Sequence, residues 1–204
     1  MMKIALIGAS GAAGSRILAE LSRRGHAVTA IARQPEKIAA LDGVTAVAGD
    51  AANPAALATL LRGHDVVISS VHFSASDPHK LIAAVTESGV PRYLVVGGAG
   101  SLEVAPGVAL YDAPGFPAIY LAEAKAGGAF LNILKGQTAL AWTFLSPSAE
   151  FIPGTRTGTF RLGGDQLLTA TDGRSSISFE DYAVALADEA ETPRHVRRRF
   201  TVGY

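Results

Sequence analysis

Glycines at positions 8, 11 and 14 recur every third residue in IALIGASGAAGSRI, directly behind a short apolar run. Such a turn lets backbone approach a bound group closely. A helix opening there also presents unpaired N–H groups and the positive end of its dipole. The chemistry this supports is the binding of a pyrophosphate. Gly8 permits the sharp turn off a strand, Gly11 the approach of backbone to phosphate, and Gly14 close packing of helix on strand. Ser10, Ala12 and Ala13 lie between them and are expected to share the anion.

The end of the second apolar run selects the nucleotide. An acid about 20 residues past the glycines would accept from a ribose hydroxyl. Here AVTAIARQ places Arg33 there and no carboxylate. A guanidinium binds a 2′-phosphate bidentately, whereas a carboxylate repels it. NADP(H) is therefore the expected cofactor, with NAD as the less favoured alternative.

These residues need a scaffold that delivers them to one edge. Apolar, β-branched runs at 3–7, 27–32, 45–48, 66–69, 93–96 and 142–145 alternate with Ala/Leu-rich stretches at 12–24, 36–41, 55–61, 79–88 and 121–135. Near-continuous apolar strands alternating with helices predict an α/β fold, a doubly wound parallel sheet of the Rossmann type. Asn53–Pro54 and Asp77–Pro78 read as N-caps followed by proline at the first helical position. Gly25, Gly63 and Gly89 stand where helices should stop. The stretch 146–178 is rich in Gly, Thr, Ser and Pro, with strand-like pieces at 159–162 and 167–169. It is expected to form a small substrate lobe within a single domain spanning 1–204. A helix capped by Ser178 and Asp181 and a strand at 199–202 close the chain.

Of the 204 residues 49% are hydrophobic, and 18 basic residues balance 18 acidic ones. That balance gives no field to recruit nucleic acid or an anionic membrane. The RHVRRR patch at 194–199 lacks interleaved stacking aromatics and reads as a solvated approach to a strand. No apolar stretch is long enough to span a bilayer. With no cysteine, disulfides, thiolate metal sites and a cysteine nucleophile are excluded. The expectation is a cytoplasmic protein, monomer or homodimer, with no metal.

The GASGAAG turn resembles the glycine motif of short-chain dehydrogenases, in particular their atypical group. The resemblance narrows over AIARQPEK, VAGDAANPAAL, LSPSAEFIPGTRTGTFRLG, SISFEDYAVALADEAE and RRFTVGY, and covers nearly the whole chain. Within the group the chain is similar to NAD(P)-binding proteins of the NmrA-like and biliverdin reductase B (flavin reductase)-like kind. The resemblance implies that Asp50 and the Ala51 backbone contact the adenine, although Asp50 also suits the entry of a helix. It implies that Ser69, Ser70 and Val71 line ribose and pyrophosphate. Gly97 and Gly98 would lie near the nicotinamide ribose, and Pro147 and Ser148 would flank the nicotinamide.

Short-chain dehydrogenases pair a Tyr general acid with a Lys four residues on, helped by a Ser. The counterparts here are Tyr120, Lys125 and Ser101. In YLAEAK, however, Tyr and Lys are five apart, and on a helix such residues diverge by roughly 140°. The pair assembles only if Tyr120 precedes the first helical turn. A missing acid matters less for a flavin or quinone acceptor, whose reduced anion is delocalised. The expected activity is therefore NADPH-dependent hydride transfer to such a planar small molecule. The alternatives are a non-catalytic NADP(H)-binding redox sensor and an epimerase/dehydratase-related enzyme. His72, beyond the fourth strand, is placed to meet a substrate or to serve structurally. Phe151, Arg156 and Phe160 read either as acceptor-pocket wall or as core of the lobe.

Overall fold

A computed structural model describes all 204 residues. Its strands are β1 (Lys3–Ile7), β2 (Ala27–Ala32), β3 (Val44–Ala48), β4 (Val66–Ser69), β5 (Arg92–Val96), β6 (Glu103–Ala105), β7 (Val108–Ala109), β8 (Ala141–Pro147), β9 (Glu150–Ile152), β10 (Arg161–Gly163), β11 (Ser176–Ser178) and β12 (Arg198–Gly203). The helices are α1 (Ala12–Arg23), α2 (Pro54–Leu61), α3 (Pro78–Ser88), α4 (Ala118–Lys135) and α5 (Phe179–Glu191). Eight strands form the main sheet in the order β10-β12-β8-β5-β4-β1-β2-β3, and only β10 runs antiparallel to its neighbour.

Alternation along β1 shows why the sheet is covered on both faces. Ile4 and Leu6 point to one side, where Ile17, Leu18 and Leu21 of α1 meet Ala183, Leu186 and Ala190 of α5. Ala5 and Ile7 point to the other, against Leu57 and Leu61 of α2, Leu81 and Val85 of α3, and Phe130 and Leu134 of α4. The inner strands β1, β4, β5 and β8 thus bury both faces, as their near-continuous apolar sequences require, while the edge strands β3 and β10 stay largely open.

The punctuation acts as its chemistry predicts. Asn53, Asp77 and Ser178 accept from Ala56 N, His79 N and Asp181 N, and Gly25, Gly63 and Gly89 all take positive φ. Three elements differ from expectation. Residues 36–41 form no α-helix, only a 3-10 turn at Pro35–Lys37. The chain is already extended at Ile38, and a stretch of only six residues is too short to recover the cost of helix nucleation. Residues 167–169 form no strand, since this stretch makes only an isolated bridge from Gln166 to Glu103. Helix α4 begins at Ala118, three residues early, behind Pro117 as its N-cap.

The 146–178 segment is woven into the domain. It supplies β10 to the main sheet, and β9 pairs in parallel with β11 as a separate two-stranded sheet.

Candidate active site at the carboxyl edge

Strand register brings the glycine turn and the end of β2 together. Ile7 lies opposite Ile31, whose carbonyl accepts from both Gly8 N (2.9 Å) and Ala9 N (3.3 Å). Gly8 has φ +83°, and a Cβ there would lie 2.0 Å from the Ser70 carbonyl oxygen. A Cβ on Gly14 would lie 2.1 Å from the Gly8 carbonyl oxygen, so this glycine sets the helix-to-turn distance. Gly11 is the N-cap of α1 and brings no side-chain cap, in contrast to α2, α3 and α5. The amides of Ala12 and Ala13 have no acceptor in the protein, and Ser10, Gly11 and Ala12 are exposed. These free donors at an uncapped helix start fit a pyrophosphate.

On the β2–β3 side, Arg33 is exposed and engages no carboxylate. Gly49 N donates to Ala32 O (3.0 Å), which holds the two strand exits side by side. Asp50 is exposed and accepts from Ala52 N (2.9 Å), while Ala51 is half-buried. Its turn-forming role is thus visible, and its other carboxylate oxygen stays open to solvent-side donors.

On the β4–β5–β8 side, several of the expected side chains are spoken for. The Ser69 hydroxyl is buried against the Tyr93 hydroxyl (2.8 Å). Ser148 is fully buried and donates to Val202 O (3.1 Å). Neither hydroxyl is free to meet a ligand. Ser70 N donates to Ile7 O (2.8 Å), and Val71 packs by Gly8. Gly97 N donates to Leu145 O (2.8 Å), and the Phe144 ring takes the space a Cβ would need. Gly98 faces Phe73, and Pro147 ends β8 at the same edge, opposite Val202.

The Ser, Tyr and Lys counterparts do not meet. Because α4 starts at Ala118, Tyr120 sits within its first turn and Lys125 points well around the helix from it. Tyr120 is 61% exposed, and neither side chain has a hydrogen-bond partner in the protein. The Ser101 hydroxyl and carbonyl both accept from Arg199 (2.9 Å each), whose guanidinium also pairs with Asp165.

What α4 does present is a stripe at helical spacing: Tyr120, Glu123, Ala124 and Gly127. The Glu123 carboxylate accepts from Phe73 N (2.7 Å), Ser74 N (2.9 Å) and the Ser74 hydroxyl. Gly127 admits the Phe73 ring, which also stacks on Phe144 at 6.0 Å, and Ala124 meets Gly100. Burial alone would raise the Glu123 pKa, but the hydrogen bonds from Ser74 and Phe73 outweigh it and hold the group below the usual carboxylate value. Sequence reading passed over Glu123 and Phe73. Their signal was the small-residue stripe in EAKAGG, which marks a face where another segment comes close.

The lobe residues are structural. Phe151 packs on Phe179 and Tyr182, Phe160 packs against the α1/α5 core, and Arg156 forks onto Glu20 of α1. Of the two readings of these residues, their packing and pairing within the protein favour the core of the lobe. Asp181 ties the lobe down, accepting from Thr157 N, Gly158 N and the Tyr204 hydroxyl. Desolvation opposes ionisation of Glu20 and Asp181, yet their donors win and both pKa values lie below normal. A depressed carboxylate stabilises the fold above its unfolded pKa, near 4, and that contribution is lost as pH falls. Glu20→Gln is expected to cost about 2 kcal/mol at neutral pH and to flatten the acid limb of stability. Urea unfolding from pH 7 down to acid checks this; an unchanged acid limb would contradict it.

A cavity of about 210 Å³ lies at the opposite edge, lined in part by Phe160, Glu189, His195 and Phe200. It belongs to a buried polar knot around Glu189 at the start of β5, β8 and β12, far from the glycine turn in the topology.

Residues 8–193 match the model of a family described as NAD(P)H-binding. The uncharacterized protein YwnB of Bacillus subtilis is 41% identical over 211 residues, covering 98% of each chain. A solved protein from Bacteroides thetaiotaomicron, provisionally named an epimerase, is 42% identical with a TM-score of 0.95, covering 100% of this chain and 97% of that one. One from Streptococcus pneumoniae, provisionally named an NADH-flavin reductase, is 36% identical with a TM-score of 0.83, covering 100% and 99%. By its glycine turn, its sheet and its likeness over full length, the chain belongs to the NAD(P)H-binding family.

Proposed function

We propose that this oxidoreductase uses NADPH and delivers hydride to a planar acceptor of the flavin or quinone type. The observation that carries the reading is the failure of Tyr120 and Lys125 to assemble on α4, beside a carboxyl edge otherwise equipped for a dinucleotide. Reduction of a simple carbonyl to an alcohol calls for a placed proton donor at the oxygen. A flavin or quinone spreads the incoming charge over its rings, so orientation is the main contribution asked of the protein. The name of the Streptococcus relative supports a flavin-type acceptor.

When bound, the dihydronicotinamide supplies the hydride. The chain's own residues do the rest: the free amides of Ala12 and Ala13 meet the pyrophosphate and Arg33 meets the 2′-phosphate. The backbone at Val71, Gly98 and Pro147 borders the nicotinamide side.

Two outcomes are expected. Arg33→Ala weakens NADPH binding roughly 10- to 100-fold, the worth of a charge-assisted pair, and leaves NADH binding little changed. Titration by cofactor fluorescence checks it, and equal weakening of both would defeat the NADP assignment. NADPH oxidation accelerates with flavin mononucleotide or a quinone and not with simple aldehydes. Discrimination between NADP and NADPH without any such acceleration would instead favour a redox sensor.

A further inference from the structure

Resting on that reading, we infer that His72, oriented by Glu123, is the proton donor for a quinone-type acceptor. The argument starts from where the dinucleotide must run. With pyrophosphate at α1 and Arg33 on the β2 side, the sheet order puts the reacting ring on the β4–β5–β8 side. The first segment met there is Ser70 to Ser74, leaving β4 at the carboxyl edge.

That segment is fixed by its backbone and open at one side chain. The His72 carbonyl accepts from Ala75 N (3.3 Å) and from the Ser76 hydroxyl (2.8 Å). The next two amides are held by Glu123. Phe73 is wedged between Gly127 and Phe144. The His72 imidazole, by contrast, is 86% exposed, and its Nδ1 lies 3.5 Å from Glu123 Oε1. Glu123 is the charged side chain in contact with it. One carboxylate thus anchors the turn and sits beside the ring, leaving Nε2 free to face outward. Tyr120 occupies the same helical stripe one turn earlier, without a partner.

The step balances as follows. Bound NADPH would supply the hydride with both its electrons and be left as oxidised NADP. The quinone takes up the hydride and is reduced by two electrons to the hydroquinone monoanion. An N–H of the His72 ring gives its proton to that oxyanion, and the exposed ring regains one from solvent. A flavin reduced by hydride at N5 rests as an anion delocalised about N1 and needs this donor far less.

The comparison of acceptors is therefore the test. His72→Ala should lower quinone reduction about 10²-fold, lower flavin reduction several-fold at most, and recover quinone activity with added imidazole. Glu123→Gln should lower the quinone-to-flavin ratio in the same direction. Independently of turnover, a redox-inert dihydroxynaphthalene added to NADP-loaded protein should shift the His72 imidazole resonances in NMR. Equal loss toward both acceptors with no imidazole rescue, or His72 resonances unmoved by the analogue, would overturn the assignment. A selective quinone loss in Tyr120→Phe with His72→Ala unaffected would move the role to the tyrosine. If wild-type protein reduces no acceptor at all, the proposed function itself fails, and the NMR shift still reports on His72.

Discussion

Replacing Gly8 by alanine is expected to cost about 3–5 kcal/mol of stability and to abolish measurable NADPH binding. The new Cβ would stand 2.0 Å from the Ser70 carbonyl oxygen and 2.7 Å from its carbon, both backbone atoms. Neither side can retreat. Gly8 N is bonded to Ile31 O and Ser70 N to Ile7 O, so the two loops are pinned to strands at the centre of the sheet. The positive φ at Gly8 adds strain of its own. Gly11→Ala is the matched comparison. Its Cβ would meet only the Gly8 carbonyl oxygen, at 3.3 Å, and its φ of −73° suits any residue. Folding stability should change by less than about 1 kcal/mol, while NADPH affinity falls at least 10-fold, because the methyl enters the space above the free α1 amides. Urea melts and calorimetric titration of the two variants read these effects separately. Comparable folding losses in both would mean that the turn's glycines serve packing alone.

Glu189→Leu should lower stability by about 3–5 kcal/mol, the usual cost of leaving a buried charge without its partner. Glu189 is 3% exposed and accepts from Arg92 Nη2 (2.7 Å), His195 N (2.9 Å) and His195 Nδ1 (2.8 Å). Its loss strands the Arg92 guanidinium, itself buried and already short of one acceptor at Nε. For a chain of this length the melting temperature should fall by roughly 10 °C. Arg92→Met added to Glu189→Leu should restore much of it, since an apolar pair removes the uncompensated charge. The knot sits at the start of the strands, so cofactor affinity measured well below the melt should be unchanged. A single mutant as stable as the wild type would show that the pair contributes little.

The two variants divide the molecule as the sequence itself divides. Strand alternation, Asn53–Pro54, Asp77–Pro78 and the glycine turn are local signals, each set by a few neighbouring residues, and the fold could be read from them. The exceptions among local elements were 36–41, too short to carry a helix, and 167–169, which formed no strand. The reacting end was harder. Ser69, Ser148, Phe151 and Arg156 looked available because sequence does not show which partner a side chain finds across the fold. Tyr93, Val202, Tyr182 and Glu20 took them. Glu123 was missed for the same reason, since its partners lie some fifty residues earlier. The spacing of Tyr120 and Lys125 was legible, and the start of α4 at Ala118 removed the one geometry that could have rescued it.

The most direct measurement is a single turnover of NADPH bound to the wild-type protein, mixed with a quinone or a flavin and followed by nicotinamide absorbance. Using NADPH deuterated on one or the other face of C4 makes the hydride visible. The account predicts oxidation that depends on the acceptor and is slowed by deuterium on one face only, as expected when the ring is held in a fixed orientation. Bound NADPH that persists whatever planar acceptor is added would contradict it.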